Sequence, residues 1–208
     1  MENKICCGGI DTENRRWVRP IRLPTNNLLI SDVHQRSIEI FKLYNKVRFL
    51  AGRRISTPPH TEDFEVDWSY TPSLIEYIGG ENRARMLREW CENPQHSIKE
   101  YLVSRKRSLM LVRPDEIRSI TINTFEQKMH ARIQFPINER FYNLPCTDLK
   151  WRAYCRMRSR DEILREIQNS ETYFTIGLSR LFKDDYWPML VGVHTIPDYT
   201  ASIDYNNL

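Results

Sequence analysis

Residues 117–146 read IRSITINTFEQKMHARIQFPINERFYNLPC. Met129, Ala131, Ile133 and Phe135 alternate here with His130, Arg132 and Gln134. Apolar side chains at every second position line one face of a strand, so residues 129–135 predict a strand with one buried and one wet face. The run 117–123 has strand character as well, and the polar segment 124–128 between the two predicts a hairpin turn. Residues 140–144 give a short third strand.

Downstream of this stretch, Thr147 is placed to cap a helix to about Met157, with Asp148 complementing its positive end. Ser159 and Glu162 form a capping box for a second helix over 160–168. Residues 172–178 alternate again, with Phe174, Ile176 and Leu178 on one face, and 187–196 make a more apolar final strand. The order is strand, strand, strand, helix, strand, strand. That is the order of the OB-fold, in which five strands curl into a small barrel and the helix plugs one end.

Upstream, the order fits less well. Residues 4–7 and 16–21 predict strands joined through the polar turn GGIDTENR, with Pro20 placing the second at an edge or strand end. Val47, Phe49 and Ala51 alternate with Lys46 and Arg48, another strand, and STPPHTED reads as a loop before a strand at 64–68. Thr71 and Pro72 open a short helix closed by Gly79 and Gly80, and 81–92 carries a second helical pattern. Ser108–Val112, a buried strand, would have to serve as this half's fifth. The expectation is a mainly β protein with a few helices (α+β), two tandem OB-like small barrels at 1–112 and 113–197, the second better supported, and a mobile tail at 198–208.

Composition sets the class. Over 208 residues, 40% hydrophobic and 28% charged content is that of a globular chain. Seven glycines and no repeated segment exclude solenoids and collagen-like structure. The net charge of +4, from 31 basic and 27 acidic residues, identifies no partner without clustering. No run approaches the length of a membrane span, and MENKICCGGI lacks the pattern of a signal peptide. Five cysteines with no C-x-x-C spacing read as reduced thiols of a cytoplasmic protein.

In order and spacing, KICCGGIDTENRRWVRPIRL, PPHTEDFEVD, LMLVRP, NLPCTDLKW and YFTIGLSRLFKDDYWPMLVGV resemble the prokaryotic dual-OB domain proteins across nearly the whole chain. The resemblance implies two OB-like units and an association with prokaryotic antiviral-defence gene neighbourhoods, where such domains are thought to recognise nucleic acid. It brings no catalytic residue with it.

OB barrels bind single strands by tracking phosphates with cations and stacking bases on aromatic rings. Three basic clusters fit that chemistry. Arg16, Trp17 and Arg19 stand on one predicted strand, where Trp17 and Arg19 share a face; packing of Trp17 in the core is the competing reading. Lys150, Arg152 and Arg156 lie on the helix after Thr147, where Arg152 and Arg156, one turn apart, form a basic ridge; a solvated helix face is the competing reading. Arg105, Lys106 and Arg107 lie between the halves. Arg132, on the wet face of the second strand, is the preferred single contact in the second half.

The most enzyme-like spot is His60, Glu62 and Asp63, but a rigid turn explains these residues equally, and no paired metal-ligand spacing or glycine-rich phosphate loop occurs. No catalytic residue, cofactor or metal is assigned. The leading expectation is a non-catalytic nucleic-acid-binding module, for single strands or RNA, in a prokaryotic defence or nucleic-acid-processing complex with partner proteins. A protein-interaction scaffold with no nucleic-acid contact is the alternative, and a hydrolase or nucleotide sensor using His60 is the third reading.

Overall fold

The computed structural model describes residues 4–35, 38–125, 128–203 and 205. The chain divides into two compact units, residues 1–85 and 86–208. Both are dominated by strands.

The first unit contains β1 (Gly9–Asp11), β2 (Arg16–Ile21), helix α1 (Ile30–Val33), β3 (Asn45–Arg48), β4 (Ala51–Thr57), β5 (His60–Val66) and β6 (Ser73–Tyr77). Four of these strands form one sheet in the order β1-β2-β5-β4. β1 and β2 are antiparallel, β2 and β5 parallel, and β5 and β4 antiparallel. Trp17, Arg19 and Ile21 project from β2 into the interior beside Phe64 and Val66 of β5. β3 and β6 pair separately.

This arrangement corrects two sequence expectations and bears out a third. PPHTED is no loop: β4 and β5 form a hairpin around Pro58 and Pro59, and His60, Glu62 and Asp63 are buried strand residues. Their polarity hid a strand whose partners are themselves polar. Residues 73–77 are a strand rather than a helix, because Ser73, Leu74, Glu76 and Tyr77 pair with β3. The helix α2 (Gly80–Trp90) agrees with the helical pattern over 81–92 and follows β6, which lies outside the four-stranded sheet.

The second unit adds β7 (Cys91–Glu92), α3 (Ile98–Ser104), β8 (Leu109–Val112), β9 (Ser119–Phe125), β10 (Lys128–Ile137), β11 (Arg140–Cys146), α4 (Leu149–Met157), α5 (Arg160–Asn169), β12 (Glu171–Leu178) and β13 (Pro188–Ile196). Its seven-stranded sheet runs β7-β8-β12-β13-β11-β10-β9. From β9 onward, strands, helices and strands succeed one another as the alternation predicts. The central residues of the β9–β10 turn, Glu126 and Gln127, lie outside the described residues. Asn138 and Glu139, both at positive φ, make the two-residue turn between β10 and β11.

β8 corrects a further expectation. It pairs antiparallel with β12, so it completes the second sheet rather than the first. β8 and β9 are the two ends of the sheet's main run and are joined by residues 113–118 alone. The Asp115 and Arg118 N–H groups donate to the Pro136 and Gln134 carbonyls, at 3.0 and 2.9 Å, so this connector also follows β10.

Ile133, Phe135, Phe174, Ile176 and Leu190 fill the space between the strands, and Trp151, Ile163 and Ile167 bring α4 and α5 onto them. Asp148, not Thr147, caps α4: its Oδ1 accepts from the Lys150 and Trp151 N–H groups, at 2.8 and 3.2 Å. Tyr199 is buried against Trp151 and Tyr154 and donates to the Val193 carbonyl, so the tail is anchored at that point.

Arg88 of α2 grips Glu171 of β12 with two hydrogen bonds, 3.0 and 2.7 Å. These bonds, with one from Tyr173, bring the Glu171 carboxyl down to about 2 from its ordinary 4.5. A carboxyl lowered on folding contributes stability above pH about 4.5 and loses it as pH falls toward about 2. Unfolding of the wild type and Glu171→Gln across that window checks this: the wild type's advantage at neutral pH is predicted to vanish in acid.

Candidate nucleic-acid interface

The three consecutive strands β9, β10 and β11 expose one continuous face. Along β10, Ala131, Ile133, Phe135 and Ile137 point inward, which leaves His130, Arg132 and Gln134 in solvent. Register places Thr121 of β9 and Pro145 of β11 on either side of Arg132, and Ser119 and Asn143 on either side of Gln134. The face is therefore rich in hydroxyl and amide groups, with Arg132 at its centre. Asn143 holds that cation: Arg132 Nε donates to Asn143 Oδ1 at 3.1 Å, and its Nη2 donates to the Asn143 carbonyl. A guanidinium fixed in this way loses less entropy on meeting a phosphate. At one end of the face, the exposed Phe141 ring lies under the Arg118 guanidinium, 4.2 Å from the ring centre.

The segment between β12 and β13 borders this face. Ser179 and Trp187 extend the ladder by one pair beyond Leu178 and Pro188: the Ser179 N–H donates to the Trp187 carbonyl, and the Trp187 N–H to Ser179 Oγ, each at 2.9 Å. Leu178 points inward, so the next pair points outward. Cys146 of β11 pairs in parallel with Leu190 of β13. Asn143 and Trp187 each lie three residues before that pair, so the strand direction brings them to the same level on the outer side.

The tip of this loop is a tight turn. Phe182 and Asp185 exchange backbone hydrogen bonds at 2.9 and 3.2 Å, with Lys183 and Asp184 both at positive φ. That is the geometry of a two-residue turn of the primed type. Lys99 of α3 holds the turn through Asp185 at 2.5 Å, and Trp187 Nε1 donates to the Phe182 carbonyl at 3.1 Å. Phe182 and Trp187 remain 61% and 51% exposed, beside the exposed Arg180 and Lys183. Large rings held in water next to cations supply stacking surfaces for bases. None of these loop residues was singled out from the sequence. The local pattern shows only that alternation stops at Leu178 and that apolar Leu181 and Phe182 follow, which does not say where the turn stands in the fold.

The residues expected from the sequence are placed unevenly. Arg16 is exposed, bonded to Asp11 at 3.1 Å and stacked over Phe64. Trp17 and Arg19 do share a face, but it is the buried one. Arg19 Nε donates to Asp63 Oδ1 at 2.6 Å, and its Nη2 lies 3.1 Å from His60 Nδ1. An arginine has only donors, so His60 must accept through that nitrogen. This cluster joins β2 to β5 in the interior, where His60, Glu62, Asp63 and Arg19 are all buried.

Lys150 is occupied by Asp198 at 2.8 Å and lies over the Tyr199 ring. Arg152 is half-buried and Arg156 exposed, so the ridge on α4 is reduced to its outer end. Arg132 is the one expected residue at the centre of an open face. In the basic run after α3, Arg107 pairs with Glu92 and Arg105 stacks on Tyr101. Among the described residues no group of three or more His, Cys, Asp and Glu side chains is placed to hold a metal, and no helix is long and apolar enough to cross a membrane.

Both units repeat one pairing scheme. A hairpin (β1–β2, β10–β11) is joined in parallel, through its second strand, to the last strand of a second hairpin (β4–β5, β12–β13). A family model described as the dual OB-containing domain matches residues 1–193. The chain belongs to that family. No curated protein and no solved structure matches it. The family match covers the first unit and most of the second.

Burial separates structural arginines of this dual-OB chain from surface ones. Arg19→Ala removes the guanidinium that pairs with Asp63 in the interior, a loss of about 3–5 kcal/mol. Arg132→Ala, on the open face, changes stability by less than about 0.5 kcal/mol. Urea unfolding of the two variants checks the difference.

Proposed function

We propose that the chain is a non-catalytic nucleic-acid-binding module that holds a single strand across the outer face of β9, β10 and β11, against the loop 179–187. Arg132 meets a phosphate, Phe182 and Trp187 stack on bases, and Thr121, Gln134 and Asn143 offer hydrogen bonds to sugar and base edges. The observation that carries this reading is the exposure of Phe182 and Trp187 on a turn built to hold them, next to Arg180 and Lys183 and level with the Arg132–Asn143 pair. An unstacked strand presents both the phosphate line and the base faces that such a surface needs, whereas a duplex hides its base faces.

In this reading β8 and β9 act as two halves of one broken first strand, and the second unit closes as a barrel through residues 113–118. The first unit contributes stability and a platform for protein partners, since Trp17 and Arg19 are committed to its interior. The family resemblance supports a role as the recognition part of a prokaryotic defence or nucleic-acid-processing complex. The five free cysteines suit a cytoplasmic setting.

Fluorescence anisotropy with labelled single-stranded oligonucleotides, titrated against salt, tests the proposal. Affinity is expected to fall linearly with the logarithm of salt concentration, and Arg132→Ala to reduce the slope by about 0.7. Trp187→Ala and Phe182→Ala should each weaken binding by about 1–3 kcal/mol with little change in slope. Binding that is absent at low salt, or indifferent to all three changes, overturns the reading.

A further inference from the structure

We propose that the outer edge of β4 is a docking site for an extended acidic segment of a protein partner, which adds to the first sheet as a strand. The proposal concerns the first unit and does not depend on nucleic-acid binding by the second.

The two sheets differ at one equivalent place. In the second unit β12 has a neighbour on each side, β13 and β8, and β8 (LMLV) is fully buried in that position. The matching strand of the first unit is β4, the leading strand of the second hairpin. It pairs with β5 on one side, and among the described residues no strand pairs with its other side. Its sequence is AGRRIST, and every residue is exposed except the half-buried Ile55. A strand edge presents backbone N–H and C=O groups to another strand, here around Arg54 and Ile55, between register shifts at Ala51/Arg54 and Ile55/Thr57.

The side chains select the occupant. A second copy of β4, set antiparallel, would bring arginine against arginine whether the pairing centres on Arg54 or between Arg53 and Arg54. Directly opposed like charges destabilise a strand pair, so these registers are disfavoured, while opposed unlike charges stabilise a pair with an acidic segment. Arg53 is exposed on β4, and Arg48 is exposed at the end of β3, five residues earlier in the chain. Arg54 packs over the Phe64 ring and donates to the Thr61 carbonyl, which orients it. Gly52 has no side chain to obstruct the approach of a second backbone. A segment with Asp or Glu at alternate positions satisfies the backbone row and the cations together. Nucleic acid could answer the cations, but it has no alternating row of donors and acceptors for the strand edge. Recognition by strand addition is a common route to peptide binding, with main-chain bonds giving affinity and side chains giving selectivity.

Display of random peptides of about eight residues on the full chain, followed by synthesis of the enriched sequences, tests this. The expected winners carry alternating acidic residues and slow the hydrogen exchange of amides in residues 51–57. Arg53→Glu combined with Arg48→Glu should weaken them about tenfold or more. Enrichment of non-acidic peptides, protection that falls elsewhere, or no enrichment overturns the proposal. So does displacement of the peptides by an oligonucleotide whose own affinity falls equally in the Arg53→Glu, Arg48→Glu variant, since the edge would then be a nucleic-acid site.

Discussion

In each unit a buried aspartate secures the parallel contact between two hairpins. Without that contact, β1–β2 and β4–β5 are separate two-stranded ribbons, marginal in water, and the same is true of β10–β11 and β12–β13. In the first unit Asp63 is both the register partner of Arg19 and its ion-pair partner at 2.6 Å. In the second, the parallel junction is short. One bridge, Cys146 to Leu190, is reinforced by the Thr147 N–H bond to the Leu190 carbonyl at 2.8 Å and by the Val193 N–H bond to Asp148 Oδ2 at 2.8 Å. Asp148 also starts α4, so a single carboxylate fixes the helix to the final strand. Burial pushes its carboxyl above the ordinary range, against the pull of the three backbone donors from Val193, Trp151 and Lys150.

These two aspartates stand in the segments whose sequence looks most like chemistry, PPHTED and PCTDLK. Their surroundings assign them to architecture. His60 and Asp63 share one guanidinium, and Asp148 has its oxygens committed to main-chain donors. The consequence for function is indirect. By setting β13 beside β11, the Asp148 junction brings the loop before β13 level with Asn143 and Arg132, which joins an aromatic turn to a polar strand face.

The second unit was legible because its strands have one wet face and its helices carry caps. Met129 to Phe135 and Phe174 to Leu178 alternate cleanly, and Ser159 with Glu162 marks a helix start. The first unit was less so. Where both strands of a contact carry buried charge, as at Arg19 and Asp63, polarity no longer means solvent, and a strand reads as a loop. Residues 73–77 failed for a different reason: with every side chain exposed, β6 has no inward face to impose a period. The same limits apply to the site. Arg132 could be found because alternation says which way it points. Phe182 and Trp187 could not, because a turn's tertiary position depends on the strand order, which a local pattern does not contain.

Amide chemical-shift mapping of the full chain on addition of a single-stranded oligonucleotide distinguishes the proposed surface, β9, β10, β11 and the loop 179–187, from the other basic surfaces. The perturbed amides are expected to cluster at Thr121, Arg132, Asn143, Phe182 and Trp187, with residues 60–66 unchanged. Perturbations centred on β4 and β5, or on the exposed end of α4 at Arg156, would contradict that assignment.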